Sequence, residues 1–276
     1  MLAVMVMGLL LSGVATGYAS HSWGGYHWAT TLTQASPTFT LQLGDNMSPA
    51  WDSYLVAAST DWRSVASDNQ SDPIVGTTVK NPLRTSVVQG AGKKRCGAVS
   101  GRVEVCNGAY GQNGWLGLAQ IWLSNGHIVQ GATKMNDTYF AMATYNNSNE
   151  KLHVVCQEVG HTFGLGHQST DGSSLNTCMD YFSNTATNSA STKPNLHDYG
   201  ELTLIYNHND GYNSYSTAAA VAAGRLGAPG RGGADGADGN GTPAGASPSR
   251  GHWYVEDLGN GVQLVTHIFW AERGRP

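Results

Sequence analysis

Polar and apolar residues alternate over Thr38-Phe39-Thr40-Leu41-Gln42-Leu43, the period of two expected of a half-buried strand. Trp51, Tyr54, Leu55, Ala58 and Trp62 then recur at helical spacing. Ser48-Pro49 precedes them, and a Ser cap followed by Pro in the first turn predicts where that helix starts. Val99 to Val105, Leu116 to Trp122 and His127 to Lys134 read as three further strands. Lys151 to Leu165 predicts a helix, and a last one runs from about Asp198 to Asn207. Strands and helices mix without regular alternation, which predicts an α+β fold or a mixed sheet. Near the C-terminus, Trp253-Tyr254-Val255 and Val262 to Trp270 flank Gly259-Asn260-Gly261, a hairpin pattern with suitable turn residues. A lone hairpin is marginal in water, so this one is expected to dock on the main domain or on another surface.

Two stretches lack this patterning. Met1 to Val14 is almost wholly apolar and is followed by Gly17-Tyr18-Ala19, small residues at cleavage spacing, although no Lys or Arg precedes the run. Residues 1–19 therefore read as a secretory signal peptide, too short for a span of about 20 residues, so no stable membrane anchor is expected. From Ser216 to Arg250, Gly, Ala, Pro and Ser dominate without a single aromatic residue. Such a segment buries too little apolar surface to offset its ordering entropy and predicts a flexible linker over 216–250. The main domain is then 20–215 and the hairpin unit 251–276.

Charged residues make up only 12% of the 276 residues, against a usual 25% or so, and the net charge is −4. That profile excludes a long coiled coil and gives no basic footprint for nucleic acid. The cysteines Cys96, Cys106, Cys156 and Cys178 contain no Cys-x-x-Cys pair. In an oxidising compartment four cysteines predict two disulfides with three possible connectivities. Cys96–Cys106 and Cys156–Cys178 are favoured because each closes a short local loop.

Chemistry concentrates in Cys156-Gln157-Glu158-Val159-Gly160-His161-Thr162-Phe163-Gly164-Leu165-Gly166-His167. Positions 157 and 161 lie four apart, so on a helix they share a face and can reach one metal ion. Glu158 stands beside them, placed to take a proton from water. Gly164 can adopt a positive φ and end the helix, letting His167 return as a third ligand. The segment resembles the metzincin clan of zinc endopeptidases, and its matrixin-like members in particular, whose helix reads His-Glu-x-x-His-x-x-Gly-x-x-His. Glu158, His161, Gly164 and His167 match, whereas Gln157 stands at the first ligand position.

The resemblance extends along the chain. Cys178-Met179-Asp180-Tyr181 looks like the clan's Met-turn, with Met179 beneath the metal and Tyr181 as a supplementary ligand or oxyanion stabiliser. Gly117-Leu118-Ala119-Gln120-Ile121-Trp122 looks like the exposed edge strand that aligns substrate, and His197-Asp198-Tyr199-Gly200-Glu201-Leu202 looks like the start of the C-terminal helix. It implies a metzincin-like catalytic domain with a twisted mixed sheet, an active-site helix and a Met-turn. It also implies Zn2+ held by Gln157, His161 and His167. Glu158 would be the general base and Tyr181 its assistant, acting on an extended peptide or protein laid along Leu118, Ala119 and Gln120. Gln oxygen is a weaker, neutral donor than imidazole nitrogen, so zinc affinity should fall. The remaining histidines (His21, His27, His127, His197, His208, His252, His267) read as surface or core residues. A secreted monomer is expected. The rival reading is a catalytically inactive metzincin-like shell that binds a glycan or protein, which predicts neither metal nor cleavage.

Overall fold

The structure, a computed structural model, describes residues 20–171, 173–181, 185, 190–215 and 252–271. The expected signal segment and the whole of the expected linker lie outside the described residues. In chain order the elements are β1 (His27–Trp28), β2 (Phe39–Asn46), α1 (Asp52–Trp62), β3 (Ser71–Asp72), β4 (Thr77–Thr78), β5 (Leu83–Gln89), β6 (Val99–Ser100), β7 (Val103–Gly108), β8 (Trp115–Ser124), β9 (His127–Asn136), α2 (Asp137–Phe140), α3 (Ser148–His161), α4 (Leu196–Ile205), β10 (Trp253–Gly259) and β11 (Val262–Trp270).

Among the described residues, one large sheet runs in the order β10-β11-β8-β9-β7-β2-β5, with β1 and β6 also paired to β9. The β5, β2, β7 and β9 strands are mutually parallel, while β8, β11 and β10 continue the sheet in antiparallel fashion. This is a mixed α+β architecture. The main core contains Leu41 and Leu43 of β2, Leu55 and Trp62 of α1, and Val154, Val155 and Val159 of α3, all buried. Both cysteine pairs are bonded as Cys96–Cys106 and Cys156–Cys178.

Several boundaries depart from the sequence pattern for local reasons. Ser48 does not cap α1: Trp51 occupies the N-cap position without a side-chain cap, and its N–H donates to Ser48 O across a preceding turn. The run from Val99 to Val105 is two strands, because Gly101 takes φ +80° and turns the chain between β6 and β7. α3 begins at Ser148 rather than Lys151, since the Asn147 side chain accepts from Glu150 N and caps it. α4 begins at Leu196, where Asn195 and Asp198 form a capping box.

The largest departure concerns β8. Read from sequence, it is an exposed edge strand; in the structure it is an interior one. β9 pairs with one side and β11 covers the other from Ser124 to Trp115, with His267 opposite Ala119 and Ile268 opposite Leu118. The hairpin therefore extends the main sheet, its turn set by Asn260 and Gly261 at positive φ. Packing explains the docking: Ile268 and Trp270 join Trp115 and Leu118 in a second buried apolar cluster, while Val265 and Phe269 enter the main core. Each such side chain contributes about 1.5–3 kcal/mol when fully buried.

Candidate metal and peptidase site

The site is built on the C-terminal half of α3. Aromatic side chains fasten this half of the helix and the turn after it through backbone carbonyls. Trp62 Nε1 donates to Cys156 O (3.0 Å), Trp28 Nε1 to Thr162 O (2.8 Å) and the Tyr206 hydroxyl to Phe163 O (2.8 Å). Gly164 then reverses the chain at φ +95°, and a Cβ there would lie 2.1 Å from Tyr26 O. Trp23 N donates to Gly164 O at 2.6 Å, pinning the N-terminal segment onto this turn. Gly164→Ala is accordingly expected to cost about 3 kcal/mol of stability, read as a lower urea midpoint, because both the backbone conformation and the close approach forbid a side chain.

The reversal sets His167 against His161, with ring centroids 4.9 Å apart. His161 Nδ1–H donates to Leu165 O at 2.8 Å, which leaves the Nε2 lone pair facing inward. Glu158 is fully buried where α3 presses on β8; a Cβ at Gly117 would meet its Cγ at 2.9 Å and its Oε1 at 3.0 Å. Glu158 Oε2 accepts from His267 Nδ1 of β11 at 3.0 Å. One ligand atom each from His161, His167 and His267 lies within 4.8 Å of the others. Trp253 of β10 covers this group, its ring centroid 4.9 Å from that of His161, 5.3 Å from His167 and 4.4 Å from His267.

Burial determines the protonation states. Desolvation lowers His161 to about 3 and holds His167 and His267 well below the ordinary histidine range, so all three are neutral donors at pH 7. Desolvation likewise pushes Glu158 well above the usual carboxylate range. A divalent cation among the imidazoles would act in the opposite direction and favour the carboxylate. His161 Nε2, His267 Nε2, both His167 nitrogens, Glu158 Oε1 and Gln157 Oε1 are buried without a protein hydrogen-bond partner. Leaving so many polar atoms unsatisfied in one dry place costs about 1–3 kcal/mol each, and a metal ion bound by the imidazoles would relieve that cost. The donor set is the nitrogen-rich one zinc prefers.

Gln157 occupies a more constrained position than its spacing alone suggests. Its Nε2 donates to Cys178 O (2.8 Å) and Asp180 O (2.6 Å), fastening α3 to the 178–181 segment beside the Cys156–Cys178 bridge. Only its Oε1 is left for a cation. Met179 is buried in the core, and Tyr181 sits beside the site with its ring 5.1 Å from His167 and 3.8 Å from His252. Leu118, Ala119 and Gln120 lie between β11 and β9 in the sheet, paired on both sides and closed to any incoming strand. The residues that spacing did not reveal are Trp253 and His267. One available signal was a histidine within the largely apolar stretch Leu264 to Trp270.

Two other histidine groups appear among the described residues. His21, His197 and Glu201 form a buried one, in which His197 Nδ1 pairs with Asp72 Oδ2 at 2.8 Å and His21 Nδ1 donates to Gly166 O at 3.1 Å. His27, His208 and Asp210 form the other, at the surface. Among the described residues no helix is long and apolar enough to cross a membrane. No protein-family model matches the chain, and no curated protein matches it either.

Proposed function

We propose that the protein is a secreted, zinc-dependent endopeptidase of metzincin-like type, held closed by its own C-terminal strand. The observation that carries this reading is the convergence of unpartnered imidazole nitrogens from His161, His167 and His267 beside the buried Glu158. His161 and His167 would hold the ion together with His267, and Gln157 Oε1 is the remaining donor on the face of α3. Zinc, when bound, supplies Lewis acidity toward a scissile carbonyl and makes water a nucleophile at neutral pH. Glu158 Oε1 holds and moves the proton, and Tyr181 lies close enough to His167 to assist at the substrate oxygen.

Closure follows from coordination and pairing together. A catalytic zinc site keeps one position open, whereas a site filled by protein ligands is structural. With β11 in place, His267 takes a position, its Nδ1–H engages Glu158, and β11 occupies the β8 edge a peptide would need for strand addition. Departure of β11 would free all three at once. The disulfides and the apolar segment 1–19 support export to an oxidising compartment.

The test is a pair of measurements on the full chain and its His267→Ala variant: zinc affinity by chelator competition, and hydrolysis of an unstructured peptide. The variant is expected to bind zinc more weakly yet cleave faster, with cleavage in both abolished by chelation. Unchanged zinc affinity with no cleavage in either protein would instead favour the second reading, a non-catalytic binding shell, which the doubly paired β8 also suits.

A further inference from the structure

The surface group that contains His27, His208 and Asp210 has a geometry of its own. β1 and β9 pair in parallel with His27 opposite His127, and the chain following α4 brings His208 and Asp210 onto the same spot. Asp210 Oδ1 lies 3.5 Å from His27 Nε2, 3.2 Å from His127 Nε2 and 3.0 Å from His208 Nε2, while His208 Nε2 and His27 Nε2 are 3.0 Å apart. Ligands at the usual zinc bond lengths of about 2.0–2.1 Å in a tetrahedron are about 3.3 Å from one another. The three edges of the His27, His208 and Asp210 triangle, 3.5, 3.0 and 3.0 Å, fall around that length.

The surroundings preset this arrangement. Asp210 N donates to Thr30 O at 2.8 Å and Asp210 Oδ2 accepts from Thr30 N at 2.7 Å, so the carboxylate is fixed with Oδ1 turned toward the histidines. His27 Nδ1–H donates to Gly25 O at 2.9 Å, the backbone contact that typically orients a metal-ligating imidazole. In that neutral tautomer the His27 Nε2 lone pair faces a carboxylate oxygen, a repulsive contact that a proton or a cation at the centre turns into an attractive one. His127 Nδ1 is buried without a protein partner. His208 is the exposed member, 42% accessible at its side chain, which leaves an entry path.

We propose that His27, His208 and Asp210 form a second metal site, separate from the Glu158 group, which binds a divalent cation of the zinc class through two imidazoles and one carboxylate in a tetrahedral shell completed by water, with His127 beside it against Asp210. Its position gives it a structural role: the ion clips the N-terminal segment to the chain leaving α4.

The experiment uses the full chain, stripped by chelator, reloaded with zinc or cobalt(II) and freed of excess metal. Metal content per chain is compared among wild type, His208→Gln and Asp210→Asn. The expected result is one equivalent fewer in each variant, together with loss of a tetrahedral cobalt ligand-field band. That difference is read independently of whatever the Glu158 site holds, so failure of one site is not failure of the other. Equal metal content in all three proteins would overturn the proposal and leave a proton-bridged network. Should a variant fail to fold by circular dichroism, X-ray absorption of the zinc-loaded wild type decides. A spectral component with two imidazoles and one carboxylate is expected, and its absence overturns the site.

Discussion

Glu158→Gln is expected to lower kcat/KM for peptide hydrolysis by about 10²–10⁴-fold while leaving zinc content and fold in place. Gln is nearly isosteric, so its amide oxygen can still accept from His267 Nδ1–H, as Glu158 Oε2 does at 3.0 Å. It also removes a charge that burial disfavours, since desolvation already pushes the Glu158 carboxyl well above its ordinary range. The variant should therefore be at least as stable as the parent, with a urea midpoint equal or higher. What it loses is the ability to take a proton at Oε1. A variant that cleaves as fast as the parent removes Glu158 from the chemistry.

The second large effect has the opposite sign. Ile268 is fully buried between Trp115, Leu118 and Trp270, where β11 meets β8. Ile268→Asp would place a carboxylate in that apolar cluster without a partner, at a cost of several kcal/mol, and so expel the strand. If the open form is about 1% populated in the parent, full release raises kcat/KM by about 100-fold. Zinc affinity should fall in the same variant, because His267 leaves with β11. Faster cleavage combined with weaker metal binding is a signature that general loss of folding cannot produce. A variant that binds zinc more weakly and cleaves no faster would show that β11 is part of the working enzyme rather than its closure.

What could be read from the chain follows the range of the interactions involved. Glu158, His161, Gly164 and His167 are tied by helical periodicity and one glycine reversal, and both act within a dozen residues, so their spacing carries the geometry. Cys156–Cys178 closes a loop of similar locality. His267 stands 109 positions from its partner Glu158, and only the register of β11 on β8 brings them together. No local pattern encodes that register, and Leu116 to Trp122 looks the same whether or not a strand covers it. β5 went unread because Leu83–Gln89 alternates weakly, its burial coming from α1 on one face. The His27, His127, His208 and Asp210 group is dispersed over three segments and has no motif at all.

Zinc at the Glu158 site is the central claim, and anomalous diffraction from crystals of the full chain, recorded on both sides of the zinc absorption edge, tests it most directly. The account predicts an edge-dependent peak bounded by His161 Nε2, His167 and His267 Nε2, resolved from any peak beside Asp210. Zinc-loaded crystals with β11 docked and no peak among those three histidines would contradict it.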